Sequence, residues 1–480
     1  MAQQHFDAVI IGSGQGGTPL AKATAKHGWN TAVVERRWPG GTCVNDGCTP
    51  SKAVDASARV AYLARRGADF GVNTSSIAID LKKVYDRKQS LVDASRQGIT
   101  KSLSEGDNST LILGEASFAT QQPGNGVYAL DIALQDGGTQ TITANRVFIN
   151  TGERPHIPQD VEGLDTLPVL DSTAMLDLKE VPEKLLVLGA GYIALEFAQM
   201  FLRFGSQVTV LERHDRIAQH EDDDVAQCLR EILTEDGIRI LTCSAVSRAY
   251  GSVGDITLDV ITGDGPVTLQ GTHLLVATGR TPNVEALHLD RVGVQQKDGG
   301  HIQVNDRLET TAENIWALGD VKGGPAFTHI SYDDFRILRA NLLEGEHAFG
   351  DALSKATIKD RLLTYCMFTD PELARFGLNE ADAAKQGKEV RVATMPMKRM
   401  ARATEMNEPR GIIKALVDPE TNLILGATIL GVDGGEVAAQ LQIAMMGNVP
   451  YTALRDSIFA HPTKAEAINN LFTSFRDSKE

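Results

Sequence analysis

Two cysteines, Cys43 and Cys48, stand five positions apart in the glycine-rich stretch GGTCVNDGCTPSK (40–52). A cysteine pair at this spacing can form half of a metal site, a structural disulfide, or a redox pair that opens and closes. Each of these chemistries needs different surroundings: a second ligand pair, an oxidising compartment, or an electron donor. The two cysteines alone leave all three open, so the elements around them must decide.

The composition is that of an ordinary globular protein, with 42% hydrophobic and 23% charged residues over a length that predicts about three domains. A net charge of −15 argues against nucleic acid as a partner. No apolar run reaches the length of about 18 residues that a membrane span needs, so no membrane association is expected. Five cysteines and an N-terminus without a basic segment favour a reducing cytoplasm and no export signal. The acidic run at 221–224 is expected to be the solvated start of a helix.

A glycine-rich turn follows the first predicted strand, in FDAVIIGSGQGG (6–17). Gly12, Gly14 and Gly17 have the GxGxxG spacing that lets backbone N–H groups approach a pyrophosphate at a helix N-terminus. The next predicted strand, TAVVE, ends in Glu35, which is expected to bind the ribose hydroxyls. Strand, turn, helix, strand and acid therefore predict a dinucleotide-binding fold.

The same pattern returns in LLVLGAGYIALEFAQMF (185–201), with Gly189, Gly191 and Ala194 at the three small positions. The predicted strand QVTVLE ends in Glu212. In both copies of the pattern, the first glycine and the acid are 23 residues apart. Two such folds predict two dinucleotides with an electron path between them.

Glu212 also bears on the choice of nucleotide. A carboxylate at this position favours a free 2′-hydroxyl and repels a 2′-phosphate, which favours NADH. Arg213, His214 and Arg216 follow at once and could neutralise a phosphate, so use of NADPH stays open.

Further segments accompany these turns: INTGERP (149–155), VATGRTPN (276–283), NIWALGD (314–320) and HPTKAE (461–466). Together with the cysteine stretch they make the whole chain resemble the class I pyridine nucleotide–disulfide oxidoreductases, which include glutathione reductase, dihydrolipoamide dehydrogenase and mercuric reductase. The resemblance implies an α/β fold with two Rossmann-like dinucleotide-binding domains, for FAD and NAD(P)H, and a C-terminal α+β dimerisation domain.

The implied FAD-binding domain is split between residues 1–152 and 283–350, around an NAD(P)H-binding domain at 153–282. The dimerisation domain is residues 351–480. Turn residues at 120–145 predict a hairpin within the FAD domain, and DPETN (418–422) predicts one in the last domain. The resemblance implies these FAD contacts: Gly12, Gly14, Gly17, Glu35, Thr42, Lys52, Thr151, Gly152 and Asp320. It implies these NAD(P)H contacts: Gly189, Gly191, Tyr192, Glu196, Glu212 and Gly279.

By the same resemblance, Cys43 and Cys48 form a redox-active disulfide that the flavin reduces. Cys48 would be the flavin-proximal thiolate and Cys43 the thiol that attacks the acceptor, with a helix starting just after Cys43 to lower a thiol pKa. Lys52, expected to pair with Glu196, would lie near the flavin and tune its reduction. Tyr192 would gate the nicotinamide pocket.

The remaining cysteines lack the spacing of a second ligand pair, which disfavours a metal site at Cys43 and Cys48. A structural disulfide is also disfavoured, because such bonds are rare in cytosolic enzymes. We expect the remaining cysteines to be buried packing residues: Cys228, Cys243 and Cys366.

Near the C-terminus the resemblance makes His461 a general acid–base, with Glu466 orienting its imidazole. In the family this segment crosses to the cysteines of the other subunit, so a homodimer is expected whose active site the partner subunit completes.

The acceptor is expected to be a small molecule: a disulfide, an oxidised sulfur species or a soft metal ion. Three segments resemble the mercuric reductase-like branch of the family, which includes the reactive-chlorine-resistance flavoproteins. They are the cysteine stretch (40–52), FTHISYDDFRI (327–337) and RDSIFAHPTKAEAINNLF (455–472). No cysteine follows Cys366, which disfavours dedicated mercury detoxification and the thioredoxin reductase pattern. Dihydrolipoamide dehydrogenase is the alternative within the family. A flavin monooxygenase and a non-enzymatic flavin-binding redox sensor are the alternatives outside it.

Overall fold

The computed structural model describes residues 4–344, 356–359 and 361–476, so the predicted domain boundary at residues 350 and 351 lies outside the described residues. The strands are β1 (Gln4–Phe6), β2 (Ala8–Ile11), β3 (Thr31–Glu35), β4 (Ser109–Phe118), β5 (Tyr128–Leu134), β6 (Thr139–Ala144), β7 (Val147–Ile149), β8 (Glu153–Pro155), β9 (Lys184–Leu188), β10 (Gln207–Leu211), β11 (Arg239–Leu241), β12 (Ala245–Ser252), β13 (Asp255–Thr262), β14 (Gly265–Gly271), β15 (His273–Val276), β16 (Arg280–Pro282), β17 (Ile315–Ala317), β18 (Thr364–Met367), β19 (Glu372–Gly377), β20 (Arg391–Pro396), β21 (Ile412–Val417) and β22 (Ile424–Gly431). The helices are α1 (Gly17–Lys26), α2 (Gly41–Asn45), α3 (Cys48–Arg65), α4 (Leu81–Ser104), α5 (Ser172–Leu176), α6 (Tyr192–Phe204), α7 (Asp223–Asp236), α8 (Thr328–Arg339), α9 (Glu380–Lys385), α10 (Ala401–Glu405), α11 (Gly434–Met446), α12 (Tyr451–Asp456) and α13 (Ala467–Leu471).

The chain divides into two compact units. The first unit contains Met1–Val54, Lys82–His156 and Gly279–Arg361, and the second contains Asp55–Leu81, Ile157–Thr278 and Leu362–Glu480. The predicted division into three domains stays a prediction. No helix among the described residues is long and apolar enough to cross a membrane.

The first unit is built on an eight-stranded sheet in the order β1-β6-β5-β4-β3-β2-β7-β17. Strands β4, β3, β2, β7 and β17 run parallel to one another. Every residue of β2 and β3 is buried, as expected for parallel strands covered on both faces. The predicted hairpin at 120–145 is present as the antiparallel pair of β5 and β6.

The second unit contains the second predicted dinucleotide-binding fold, built on a four-stranded parallel sheet in the order β11-β10-β9-β15. Strands β12, β13 and β14 add an antiparallel sheet that the sequence analysis does not predict. The C-terminal part forms a five-stranded antiparallel sheet in the order β18-β19-β22-β21-β20. The predicted DPETN turn joins β21 to β22, and α11 packs on β22 and β19 over a shared apolar core. The expected combination of two dinucleotide folds and an α+β domain is confirmed.

The acidic run at 221–224 does start a helix, because α7 begins at Asp223. Its predicted solvation is wrong for the first two residues, whereas the side chain of Asp223 is 88% exposed. Glu221 is 3% and Asp222 8% exposed. Lys414, itself 1% exposed, places Nζ 2.8 Å from Asp222 and 2.9 Å from Asp224, and it also contacts Glu380. A buried cation from β21 therefore takes the place of water around Asp222 and on one side of Asp224.

The expectation that the three isolated cysteines are buried packing residues is wrong for Cys243 and holds only in part for the other two, of which Cys366 packs against an apolar core. Cys243 is exposed, while Cys228 and Cys366 are only half-buried. Cys243 lies in the loop between β11 and β12, with φ of 49°.

Candidate active site

The two clustered cysteines lie on different helices of the first unit. Cys43 is in the short helix α2, and Cys48 is the first residue of α3. The expectation of a helix starting just after Cys43 is therefore wrong, because Asp46 and Gly47 separate α2 from α3. Only glycine fits at position 47, since a Cβ there would lie 2.9 Å from the carbonyl oxygen of Thr42. The N-terminal end of the long helix acts on Cys48 instead, and it favours a thiolate there.

The two sulfurs hold one proton unequally. The hydrogen bond from the Cys43 thiol, then Thr328 and the positive charge of Lys52, lower the pKa of Cys48 to about 6, although desolvation opposes this. The pKa of Cys43 is raised, first by its hydrogen bond to Cys48, then by burial and by the charge on Cys48. Cys48 Sγ lies 3.0 Å from Thr328 Oγ1. The pair is thus a thiolate at Cys48 and a thiol at Cys43.

The loop between the cysteines is held by side chains that the sequence analysis missed. Asn45 donates to the carbonyl oxygen of Gly41 over 3.0 Å and accepts from Arg96 Nε over 2.9 Å. Arg37 forms an ion pair with Asp46. Arg96 comes from α4, so only the fold brings it to this loop, and no local pattern could have predicted it.

The first glycine turn has the geometry of a pyrophosphate cradle. Gly12 has φ of 101°, and a Cβ there would lie 2.3 Å from the carbonyl oxygen of Asn150. The Asn150 side chain accepts from Gly17 N over 2.8 Å and donates to the carbonyl oxygen of Leu318 over 2.9 Å. Asn150 therefore ties the turn to the NIWALGD segment, a role that the sequence analysis did not assign.

The acid at the end of β3 lies beside this turn. Glu35 Oε2 accepts from Ser13 N over 3.0 Å and from Ser13 Oγ over 2.6 Å, and its Oε1 accepts from Arg37 N over 2.9 Å. A carboxylate offers about four lone-pair directions, so acceptor capacity remains for ribose hydroxyls.

Two buried polar groups in the same unit lack good partners. Thr151 Oγ1 is buried and makes no hydrogen bond within the described residues. Burial raises the pKa of Asp320, whose carboxylate receives, within the described part of the chain, a single hydrogen bond, from Ser331 Oγ over 3.4 Å. A ligand rich in hydroxyl groups would satisfy both, so the residues present fit FAD. The other predicted contacts in this unit are exposed Thr42 on α2, Lys52 on α3 and Gly152 with φ of 64°.

The second glycine turn repeats this geometry in the second unit. Gly189 has φ of 104°, and a Cβ there would lie 2.5 Å from the carbonyl oxygen of Ala277. A Cβ on Gly191 would meet nothing within 4 Å, which leaves room for a phosphate. Glu212 Oε2 accepts from Ala190 N over 3.0 Å. This arrangement fits a pyridine nucleotide.

Three further residues that were predicted to contact NAD(P)H do not all lie in the same unit. Tyr192 is the half-buried first residue of α6, and Glu196 is buried on the same helix, where it accepts from Phe368 N over 2.8 Å. Gly279 belongs to the first unit, whereas the other predicted NAD(P)H contacts belong to the second. The predicted pairing of Lys52 with Glu196 stays a prediction.

His461 and Glu466 are together in the second unit, in the loop between α12 and α13. His461 Nδ1 lies 2.8 Å and 3.1 Å from the two carboxylate oxygens of Glu466, and the imidazole is 66% exposed. Nε2 makes no hydrogen bond within the described part of the chain. Lys464 pairs with Asp433 at the start of α11 and fastens the loop. The imidazole is therefore oriented, with its second nitrogen open to a partner.

Comparison with known proteins places this geometry in a family. Residues 6–334 match the family described as pyridine nucleotide-disulphide oxidoreductase, and residues 363–472 match its dimerisation domain. The chain is 36% identical over 472 residues to the probable pyridine nucleotide-disulfide oxidoreductase RclA of Escherichia coli, covering 98% of this chain and 99% of that protein. It is 33% identical to a mercuric reductase of Staphylococcus aureus, covering 96% of this chain and 81% of that protein.

A solved structure shares the whole fold. The Cu(II) complex of the HOCl-induced flavoprotein disulfide reductase RclA from Escherichia coli superposes with a TM-score of 0.86 at 36% identity, over 98% of this chain and 99% of that one. The resemblance inferred from the motifs is thereby confirmed.

Proposed function

We propose, since the chain belongs to the pyridine nucleotide-disulphide oxidoreductase family, that it passes electrons from NAD(P)H to the Cys43–Cys48 pair and on to a small oxidised acceptor. The observation that carries this proposal is the unequal pair of sulfurs, with the proton on Cys43 and the charge on Cys48 near Lys52. Proteins of this family use FAD and NAD(P)H; when bound, FAD takes a hydride from the nicotinamide and supplies two electrons to the disulfide.

In the first step on the acceptor side, the Cys43 thiol must lose its proton before it can attack. The raised pKa of Cys43 makes a base necessary. We assign that base to His461 of the partner subunit, because Glu466 fixes Nδ1 and leaves Nε2 open to take a proton. The match of residues 363–472 to the dimerisation domain supports the homodimer that this assignment requires.

With a disulfide acceptor, the electrons and atoms then balance in two exchanges. The Cys43 sulfur attacks one acceptor sulfur, the acceptor bond breaks, and the leaving thiolate takes the proton from the imidazolium. The Cys48 thiolate next attacks the Cys43 sulfur, which releases the second acceptor thiolate and re-forms the Cys43–Cys48 bond. The acceptor gains two electrons, and the cysteine pair returns to the oxidised state that the cofactor reduces again.

The acceptor class that we propose is a small disulfide, an oxidised sulfur species or a soft metal ion. The Cu(II) complex of the relative supports including a metal ion among the acceptors. Cys43 carries the attack on a disulfide acceptor.

The proposal is tested with FAD-loaded protein under anaerobic conditions. NADH and NADPH are titrated first, and acceptors are then compared: lipoamide, oxidised glutathione, hypothiocyanous acid, Hg(II) and Cu(II). We expect NAD(P)H to bleach the flavin absorbance and at least one acceptor to restore it. The Cys43→Ser, Cys48→Ser double variant should keep bound FAD and its bleaching but lose turnover with that acceptor. Full turnover by the double variant would contradict the role of the cysteines, and a flavin that NAD(P)H does not bleach would contradict the function itself.

A further inference from the structure

Two residues that lie between the paired cysteines are each bound by an arginine. Arg96, on α4, donates from Nε to Asn45 Oδ1 over 2.9 Å, and Arg37 forms an ion pair with Asp46. Both guanidinium groups also lie against one indole ring, with their central carbon atoms 4.4 Å (Arg96) and 5.1 Å (Arg37) from the ring centroid of Trp38. A cation at this distance from an aromatic ring is attracted to it. We call the side chains of Arg37, Trp38 and Arg96 the arginine–tryptophan clamp.

We propose that the arginine–tryptophan clamp positions Cys43 beside Cys48 and thereby favours the disulfide over the open dithiol. Arg96 and Trp38 are then positioning residues for the redox pair, although neither contacts a sulfur. This role rests on the proposed redox function of the cysteine pair and adds to it the side chains that hold the two sulfurs together.

The helix that contains Cys43 needs external support because it is short. α2 has five residues (Gly41–Asn45), and a single helical turn is unstable alone, since it fixes several residues for few hydrogen bonds. The Asn45 side chain closes this turn, because its Nδ2 donates to the carbonyl oxygen of Gly41 over 3.0 Å. Arg96 fixes the orientation of that amide, because a guanidinium can only donate and therefore meets the amide oxygen.

Arg96 is the better-shielded half of the clamp. It belongs to the 24-residue helix α4, whereas Arg37 lies in the loop after β3. The side chain of Arg96 is 23% exposed, against 48% for Arg37, and water weakens a charged contact less where the side chain is more buried. Asp93, on the same face of α4, lies 3.6 Å from Arg96 and restricts it further. Replacing Arg96 should therefore loosen the cysteine loop more than replacing Arg37.

A loosened loop lowers the stability of the disulfide relative to the dithiol. In the dithiol state, Cys43 would sample positions away from Cys48, and forming the bond would then cost more conformational entropy. Exchange with glutathione measures this difference: one dithiol and one oxidised glutathione give one disulfide and two reduced glutathiones, so atoms and electrons balance. The equilibrium constant of this reaction has the dimension of a concentration, and it is the effective concentration of one cysteine sulfur at the other.

The test determines this constant for FAD-loaded protein, under anaerobic conditions, in mixtures of reduced and oxidised glutathione, or of reduced and oxidised dithiothreitol if the pair is more reducing. Alkylation and mass spectrometry of the peptide with both cysteines distinguish dithiol, disulfide and thiol adduct, while the flavin absorbance reports flavin reduction separately. We expect Arg96→Gln to lower the constant by about threefold to tenfold, since a cationic donor and a cation–π contact are lost. The matched control is Lys101→Gln on the same helix. Lys101 is 73% exposed and pairs only with Glu105 among the described residues, so a change below about twofold is expected.

Variants of Trp38 separate positioning from a general loss of packing. Trp38→Phe keeps an aromatic face and should stay within about twofold of wild type, whereas Trp38→Leu should lower the constant by about threefold. The losses in the Arg96→Gln, Trp38→Leu double variant should not add, because either change opens the same clamp. A wild-type constant in FAD-binding Arg96→Gln, or equal constants in Trp38→Phe and Trp38→Leu, would overturn the proposal. A wild-type pair that forms no disulfide in any of these mixtures would overturn the proposed redox function instead, which distinguishes the two failures.

Discussion

At neutral pH, Cys48 should be a thiolate because Cys43 donates to it, and removing that donor should change its reactivity. A thiol with a pKa of about 6 is roughly nine-tenths ionised at pH 7, whereas one with an ordinary pKa is only a few per cent ionised. Cys43→Ala removes the first cause of the shift, while Thr328 and Lys52 remain. We therefore expect the thiolate fraction of Cys48 at pH 7 to fall by about threefold to tenfold.

The matched control is Cys43→Ser, whose hydroxyl can still donate to the Cys48 sulfur. Iodoacetamide alkylation of FAD-loaded protein is followed between about pH 4.5 and 9, a range that brackets both pKa values. Mass spectrometry of the Cys48 peptide gives the rate, and the exposed Cys243 in the same sample reports reagent activity. The midpoint should lie near 6 in the serine variant and clearly higher in the alanine variant. Identical midpoints in the two variants would refute the reasoning.

Three further changes test other parts of the molecule. Lys414→Met should lower the free energy of unfolding by about 3–5 kcal/mol, because buried carboxylates lose their cation; urea titration against exposed Lys82→Met, expected to cost under about 1 kcal/mol, checks this. Asn150→Ala should raise the FAD dissociation constant by roughly tenfold, since bonds to two turns are lost; unchanged flavin release on dilution would argue against it. His461→Gln should slow turnover with a disulfide acceptor by about 10²–10⁴ while anaerobic flavin bleaching by NADH keeps its rate; a parallel loss of both would contradict the assignment.

Local patterns in the sequence predicted the parts of the fold that local chemistry determines. The two glycine turns and their acids could be placed because a tight turn, a close backbone approach and a strand end all leave marks within a few tens of residues. The His461–Glu466 pair was predicted from the resemblance of one short segment, HPTKAE (461–466), to the family. Each of these arrangements depends on residues that are near neighbours in the chain.

Contacts between distant segments could not be predicted in this way. Thr328 reaches Cys48 from 280 positions along the chain, and Lys414 reaches Asp224 from 190. No pattern around the acidic run indicates that a lysine will be buried against it, so solvation was the natural expectation. The start of α3 at Cys48 was not predicted either. The expected helix start after Cys43 rested on the family resemblance and not on the turn residues around Gly47.

The two glycine turns differ in the side-chain hydrogen bonds that they receive from the strand end packed against them. In the first, the Asn150 side chain bonds to Gly17 and to Leu318, whereas the equivalent position of the second turn is Ala277, which has no such group. Under the proposed assignment, the braced turn retains one coenzyme through every catalytic cycle. The unbraced turn serves a coenzyme that must depart after each hydride transfer, so a slow release there would limit the rate of the whole enzyme.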